Sequence, residues 1–119
     1  MSLLTKDQIL NADDLVIEEL EVPEWGGTVR VRTMTGAERD AFEESVFETK
    51  GKDTKMNLKN FRSRLVAICV VDDKGERMFG DGEIPIIGKK SAKALDRVFS
   101  AAQKLNGIGQ KEVDELTKN

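Results

Sequence analysis

Along the chain the spacing of apolar positions changes from two to about three and a half. Val16 to Val22 alternates loosely, with Leu20 and Val22 on one side. Thr28 to Thr33 alternates strictly, setting Val29, Val31 and Thr33 against Thr28, Arg30 and Arg32. Pro23-Glu24-Trp25-Gly26-Gly27 lies between the two runs. Two alternating runs about a glycine-containing loop predict a β-hairpin over 15–33. A lone hairpin is marginal in water, so this one is expected to lean on helices. The helical period starts at Thr35-Gly36-Ala37-Glu38, a capping-box pattern that predicts a helix over about 36–48. Its expected buried set is Ala37, Ala41, Phe42, Ser45 and Val46. Thr5-Lys6-Asp7-Gln8 repeats the capping pattern and predicts a short helical turn ending near Asn11.

The strongest signal lies in Asn57 to Asp72, where Leu65 to Val71 contains no charge. Leu58, Phe61, Leu65 and Ile68 recur at spacings of three and four, which is helical periodicity. The reading is a central helix over 57–71, capped at Asn57, with Lys59, Arg62 and Arg64 facing water. Its second half is apolar nearly all round and so must be covered on all sides. Ile68-Cys69-Val70-Val71 also suits a strand, and a short pairing of Val70-Val71 with Met78-Phe79 across the Asp72–Gly75 turn competes with a helix to Val71. The preceding pattern favours the helix. Before this segment, residues 48–56 show no periodicity and nearly balanced charge, which reads as a connector loop.

Beyond the turn, Asp81 is expected to cap a short helix over 82–87 that Gly88 ends. Ser91 caps a longer helix over 92–105, with Leu95, Val98, Phe99, Ala102 and Leu105 as its apolar stripe. Asn106-Gly107 then predicts a Schellman ending with Ile108 folded back. A last helix is expected over 110–117, presenting Val113 and Leu116. These elements predict one domain over 1–119, mainly α with a small N-terminal β-hairpin, an α+β fold wrapped on the central helix.

Composition narrows the chemistry. The 119 residues include one cysteine and no histidine. One cysteine cannot close an internal disulfide, and no leader is evident, so cytosolic folding is expected. Nor does any apolar run approach the roughly 20 residues that span a bilayer. Net charge is −3, split into −7 over residues 1–50 and +4 over 51–119. Opposite charge at two ends permits head-to-tail attraction between copies. Cys69 sits in the most apolar segment without a histidine to activate it, so it reads as a small core residue. Asp72, Asp73, Asp81 and Glu83 miss calcium-loop spacing and read as turn and cap residues. No nucleophile, acid–base pair or metal set is visible, so an enzyme, a cofactor and a small-molecule substrate are all unexpected. Lys89, Lys90, Lys93, Arg97 and Lys104 line the helix after Ser91, which makes a small DNA-binding or regulatory protein the alternative. Against nucleic acid, the chain is acidic overall and the strip lacks residues that read base edges. Trp25, at the hairpin tip, is a candidate partner anchor. Ile108, Val113 and Leu116 form a candidate docking segment at the other end.

Read whole, the sequence resembles the short-form tail assembly chaperones of long-tailed bacteriophages. The likeness is carried by Leu4-Thr5-Lys6-Asp7-Gln8-Ile9-Leu10, by Val22-Pro23-Glu24-Trp25-Gly26-Gly27 with Val29-Arg30-Val31-Arg32, and by Thr35-Gly36-Ala37-Glu38-Arg39-Asp40. It continues through Arg64-Leu65-Val66-Ala67 to Val71-Asp72, then Lys90-Ser91-Ala92, Leu95-Asp96-Arg97-Val98-Phe99 and Leu105-Asn106-Gly107. The resemblance implies a non-enzymatic protein that binds the tape measure and tail tube proteins and associates with itself. It also implies action in the host cytoplasm and absence from the mature virion.

Overall fold

The computed structural model describes residues 2–50, 53–56 and 58–108. Alternation and capping produce the first elements. Thr5 closes a full capping box on α1 (Lys6–Leu10). β1 (Ile17–Val22) and β2 (Gly27–Arg32) pair antiparallel, with Leu20 opposite Val29 and Val22 opposite Gly27. A 3-10 turn at Pro23–Trp25 joins them, and Gly26 takes the left-handed conformation (φ 73°) that closes it. Thr35 closes the second capping box on α2 (Gly36–Val46). Two predicted members of its buried face, Ala37 and Ala41, are exposed instead, and Ser45 is half-buried. Only Phe42 and Val46 go inside.

Residues 48–56 depart from the expected loop. β3 (Phe47–Lys50) and β4 (Asp53–Met56) pair antiparallel, and the helix expected to reach 48 stops at Val46. Their register sets Glu48 opposite Lys55, Thr49 opposite Thr54 and Lys50 opposite Asp53. Residues 48–50 and 53–55 are all polar, so a test for apolar periodicity passes over them.

The central helix is shorter than its sequence signal. α3 runs Phe61–Cys69 behind Asn60, which is left-handed (φ 56°) and makes no side-chain cap. Asn57, the expected cap, lies outside the described residues. Val70 and Val71 leave the helix as β5 (Val70–Val71) and pair with Val31 and Arg30, giving sheet order β1-β2-β5. The free edge of β2 offers these two β-branched residues ladder hydrogen bonds, and that outweighs local helix continuation. Part of the competing hairpin also forms: Val71 bridges Arg77, and the Met78 N–H donates to the Val70 carbonyl at 3.1 Å.

α3 is covered nearly all round. Every residue in it is buried except Arg62. Arg64, expected in water, is inside, donating to the Ser45 carbonyl at 2.6 Å and the Ser45 hydroxyl at 2.9 Å. Ser45 lies in the last turn of α2, where carbonyls lack helical partners and a cation is favoured. α4 (Ile84–Ile87) follows a 3-10 turn at Asp81–Glu83. The Glu83 carboxylate, rather than Asp81, serves that turn, accepting from the Gly80 N–H at 3.0 Å. Gly88 passes so close to α3 that a Cβ there would sit 2.9 Å from Asn60 Oδ1.

α5 (Ala92–Leu105), capped by Ser91, packs on α3 and on the β1–β2 ribbon. Phe42, Phe61 and Phe99 stack in a tilted series with successive centroids 5.5 Å apart, joining α2, α3 and α5. The end of α5 is a full Schellman motif. Gly107 (φ 69°) donates to Lys104 O at 3.1 Å, and Ile108 to Gln103 O at 2.9 Å. Ile108 is 6% exposed, a member of the core rather than a free docking residue.

Candidate functional site: two apolar grooves

Among the described residues, two apolar grooves open on the surface, one on each side of α3. The first lies between α2, α3 and the turn before α4. Ala37, Ala41 and Phe42 contribute from α2, Arg64 and Ile68 from α3, and Ile84 from α4, around about 390 Å³. Its floor exists because α2 places small side chains where a larger apolar residue would have filled the space. Arg77 and Asp81 stand at the rim, joined at 3.0 Å, and the Arg77 Nε also donates to Ala67 O at 3.2 Å.

The second groove lies at the hairpin tip. Trp25, Val66, Phe79, Ile86, Ile87 and Lys90 line about 390 Å³ that is almost wholly apolar. Pro23 sets the 3-10 turn that carries Trp25 outward, leaving it 39% exposed. The tip is tied to α5 by Glu24, whose carboxylate accepts from Arg97 Nε at 3.1 Å and Nη2 at 3.0 Å. That hydrogen-bonded guanidinium holds the Glu24 carboxyl below its ordinary value. Arg97 is therefore spoken for inside the chain, which removes one cation from the basic strip that suggested DNA binding.

Of the sequence-predicted partner residues, Trp25 lines a groove, Ile108 is buried, and Val113 and Leu116 lie outside the described residues, as does the helix expected over 110–117. The groove beside Ala37 and Ala41 was missed, because small apolar residues at helical spacing read as core. Cys69 is buried against Asn106, whose Nδ2 donates to Sγ at 3.6 Å, and burial pushes the thiol up to about 12. Such a thiol is a packing group at neutral pH. Among the described residues, no cluster of carboxylates and thiol could hold a metal ion, and no helix is long and apolar enough to cross a membrane.

The family model for phage tail assembly chaperones matches residues 6–119. No curated protein matches the chain. Among solved structures, the fold is similar to one described as the structure of the bacteriophage HK97 tail assembly chaperone, with a TM-score of 0.59. The two are 18% identical over 83% of this chain and 90% of that one, a likeness of fold.

Proposed function

This chain belongs to the phage tail assembly chaperones, and we propose that it binds tape measure and tail tube proteins during tail morphogenesis, without covalent chemistry. The observation that carries the reading is the family match from residue 6 to 119, which spans every element from α1 to α5. The open groove on α2 supports it by supplying a surface. Exposed Ala37 and Ala41 lie one turn apart, so the backbone of an apolar client helix can approach closely there. Ile68, Ile84 and Phe42 then offer apolar contact, and the Arg77–Asp81 pair supplies a polar rim. The protein would do this in the host cytoplasm and be left out of the finished virion.

Co-expression with the tape measure and tail tube proteins of the same phage, followed by affinity capture, tests the reading. Wild-type protein is expected to retain at least one of the two. Ala41→Glu, at an exposed position, puts a carboxylate into the groove and is expected to weaken capture about tenfold or more. Wild-type protein that retains neither tail protein defeats the reading. Undiminished capture by Ala41→Glu moves the client off α2.

A further inference from the structure

α3 and α5 pack side by side and run in the same direction. Arg62 pairs with Asp96 near their starts, and Asn106 donates to Cys69 Sγ at their ends. Two positive helix ends, each equivalent to about half an elementary charge, therefore lie together. A pocket of about 270 Å³ opens at this shared end, lined in part by Asn60, Arg62, Ser63, Gly88, Lys90 and Ala92. No carboxylate lines it among the described residues. Its backbone donors are unspent. Asn60 makes no side-chain cap on α3, and the Arg62 and Ser63 N–H groups have no acceptor among the described residues. Ser91 caps α5 through Ala94, which leaves the Ala92 and Lys93 N–H groups open in the same way.

Ser63 is a second and independent sign of a ligand. It is 2% exposed, yet its hydroxyl makes no hydrogen bond among the described residues. Buried hydroxyls are ordinarily satisfied. This one faces the pocket: a Cβ on Gly88 would stand 3.4 Å from Ser63 Oγ and 2.9 Å from Asn60 Oδ1. Glycine at that position keeps the space in front of the hydroxyl open. Of the two cations at the pocket, Arg62 is engaged by Asp96, whereas Lys90 is exposed and forms no ion pair among the described residues.

We propose that this pocket binds one oxyanion, a phosphate or a carboxylate, between the first turns of α3 and α5. The open N–H groups of the two helices and the Ser63 hydroxyl donate to it, and Lys90 supplies the countercharge. Orphan N–H groups at a positive helix end suit that ligand, and here two such ends share one pocket. The anion has two possible sources, a free phosphate ion or the acidic side chain of a bound protein. The site is separate from the α2 groove and stands whether or not a tail protein is captured there.

Amide chemical shifts of the full chain test it, during titration with sodium phosphate and separately with sodium acetate, with chloride holding ionic strength constant. Saturable shifts at Arg62, Ser63, Ala92 and Lys93 are expected with at least one of the two anions. Binding of phosphate alone identifies the free ion as occupant, and acetate binding at least as tightly identifies a side-chain carboxylate. Ser63→Ala removes the hydroxyl and Lys90→Glu reverses the charge at an exposed position. Each is expected to weaken binding about tenfold. Lys90→Arg keeps the charge and is expected to bind like wild type. Resonances away from the pocket that stay unchanged show that the variants are folded. Absence of saturable shifts with both anions, shifts spread over the surface lysines at large, or binding that neither Ser63→Ala nor Lys90→Glu weakens would each overturn the proposal.

Discussion

Asn106 holds together three parts of the chain that are distant in sequence. Its Oδ1 accepts from the Met34 N–H at 2.6 Å, and its Nδ2 donates to the Ala102 carbonyl at 2.8 Å and to Cys69 Sγ. Its own carbonyl accepts from Arg39 Nη1 at 3.2 Å. The segment between β2 and α2, the body of α3 and the end of α5 thus meet at one amide. Truncation to Ala removes the acceptor for the Met34 N–H, and a half-buried donor left unpaired costs about 1–3 kcal/mol. Asn106→Ala should lose that much in urea denaturation, and a change under 0.5 kcal/mol would contradict this account. From sequence, Asn106 was legible as a helix end beside Gly107. Its reach to Met34 was not, because hydrogen bonds across 72 residues leave no local pattern. Arg64 is the complementary case. Its position in the helical pattern suggested solvent, and the Ser45 carbonyl and hydroxyl that receive its guanidinium help make burial tolerable.

Among elements, those with caps written into the chain came out close to expectation. α5 runs from Ala92 to Leu105 as its period and Ser91 cap indicate, and α2 starts at its capping box. Departures occur where one segment could pair with another: Val70-Val71 joins β2, and 47–50 pairs with 53–56. The end of α5 carries a prediction of its own. Removing 109–119 leaves Ile108 and its hydrogen bond to Gln103 in place. Removing 107–119 takes both Schellman bonds and uncovers the core beneath Ile108. The longer deletion should therefore be less stable than the shorter by about 2–4 kcal/mol, from lost burial and lost capping. Equal stability of the two would show that Ile108 contributes nothing. The shorter deletion is also the suitable one for testing a docking role of Val113 and Leu116.

At the scale of the molecule, the uneven charge of the two halves is partly used within the chain. Glu24 of the acidic half and Arg97 of the basic half join the hairpin tip to α5. This bears on stability against pH. The Glu24 carboxyl lies below its ordinary 4.5, so its contribution is complete above that value and fades as pH falls through the lowered one. The Cys69 thiol goes the other way, from 9.0 to about 12. Its contribution is complete below 9.0 and is lost as pH rises toward 12, a loss on the order of 4 kcal/mol over that range. Unfolding free energies between pH 7 and 11 should decline above 9, and Cys69→Ala should remove that decline while costing some packing at neutral pH. An unchanged slope in Cys69→Ala would mean other groups set the alkaline limit.

By itself, the sequence determined the α+β class, the hairpin, the two capping boxes, the Schellman ending and the family, because each depends on residues that are neighbours in the chain or on an ordered series of short blocks. The tertiary structure alone decided where α3 stops, that Arg64 goes inside, that Ala37 and Ala41 stay outside, and which apolar surfaces remain uncovered. Those outcomes depend on which surfaces compete for the same side chain. Val71 has a local preference for either state, and the open edge of β2 settles it. Ala41 has the period of a core residue, yet it faces the open groove between α2 and α3 rather than a packed neighbour.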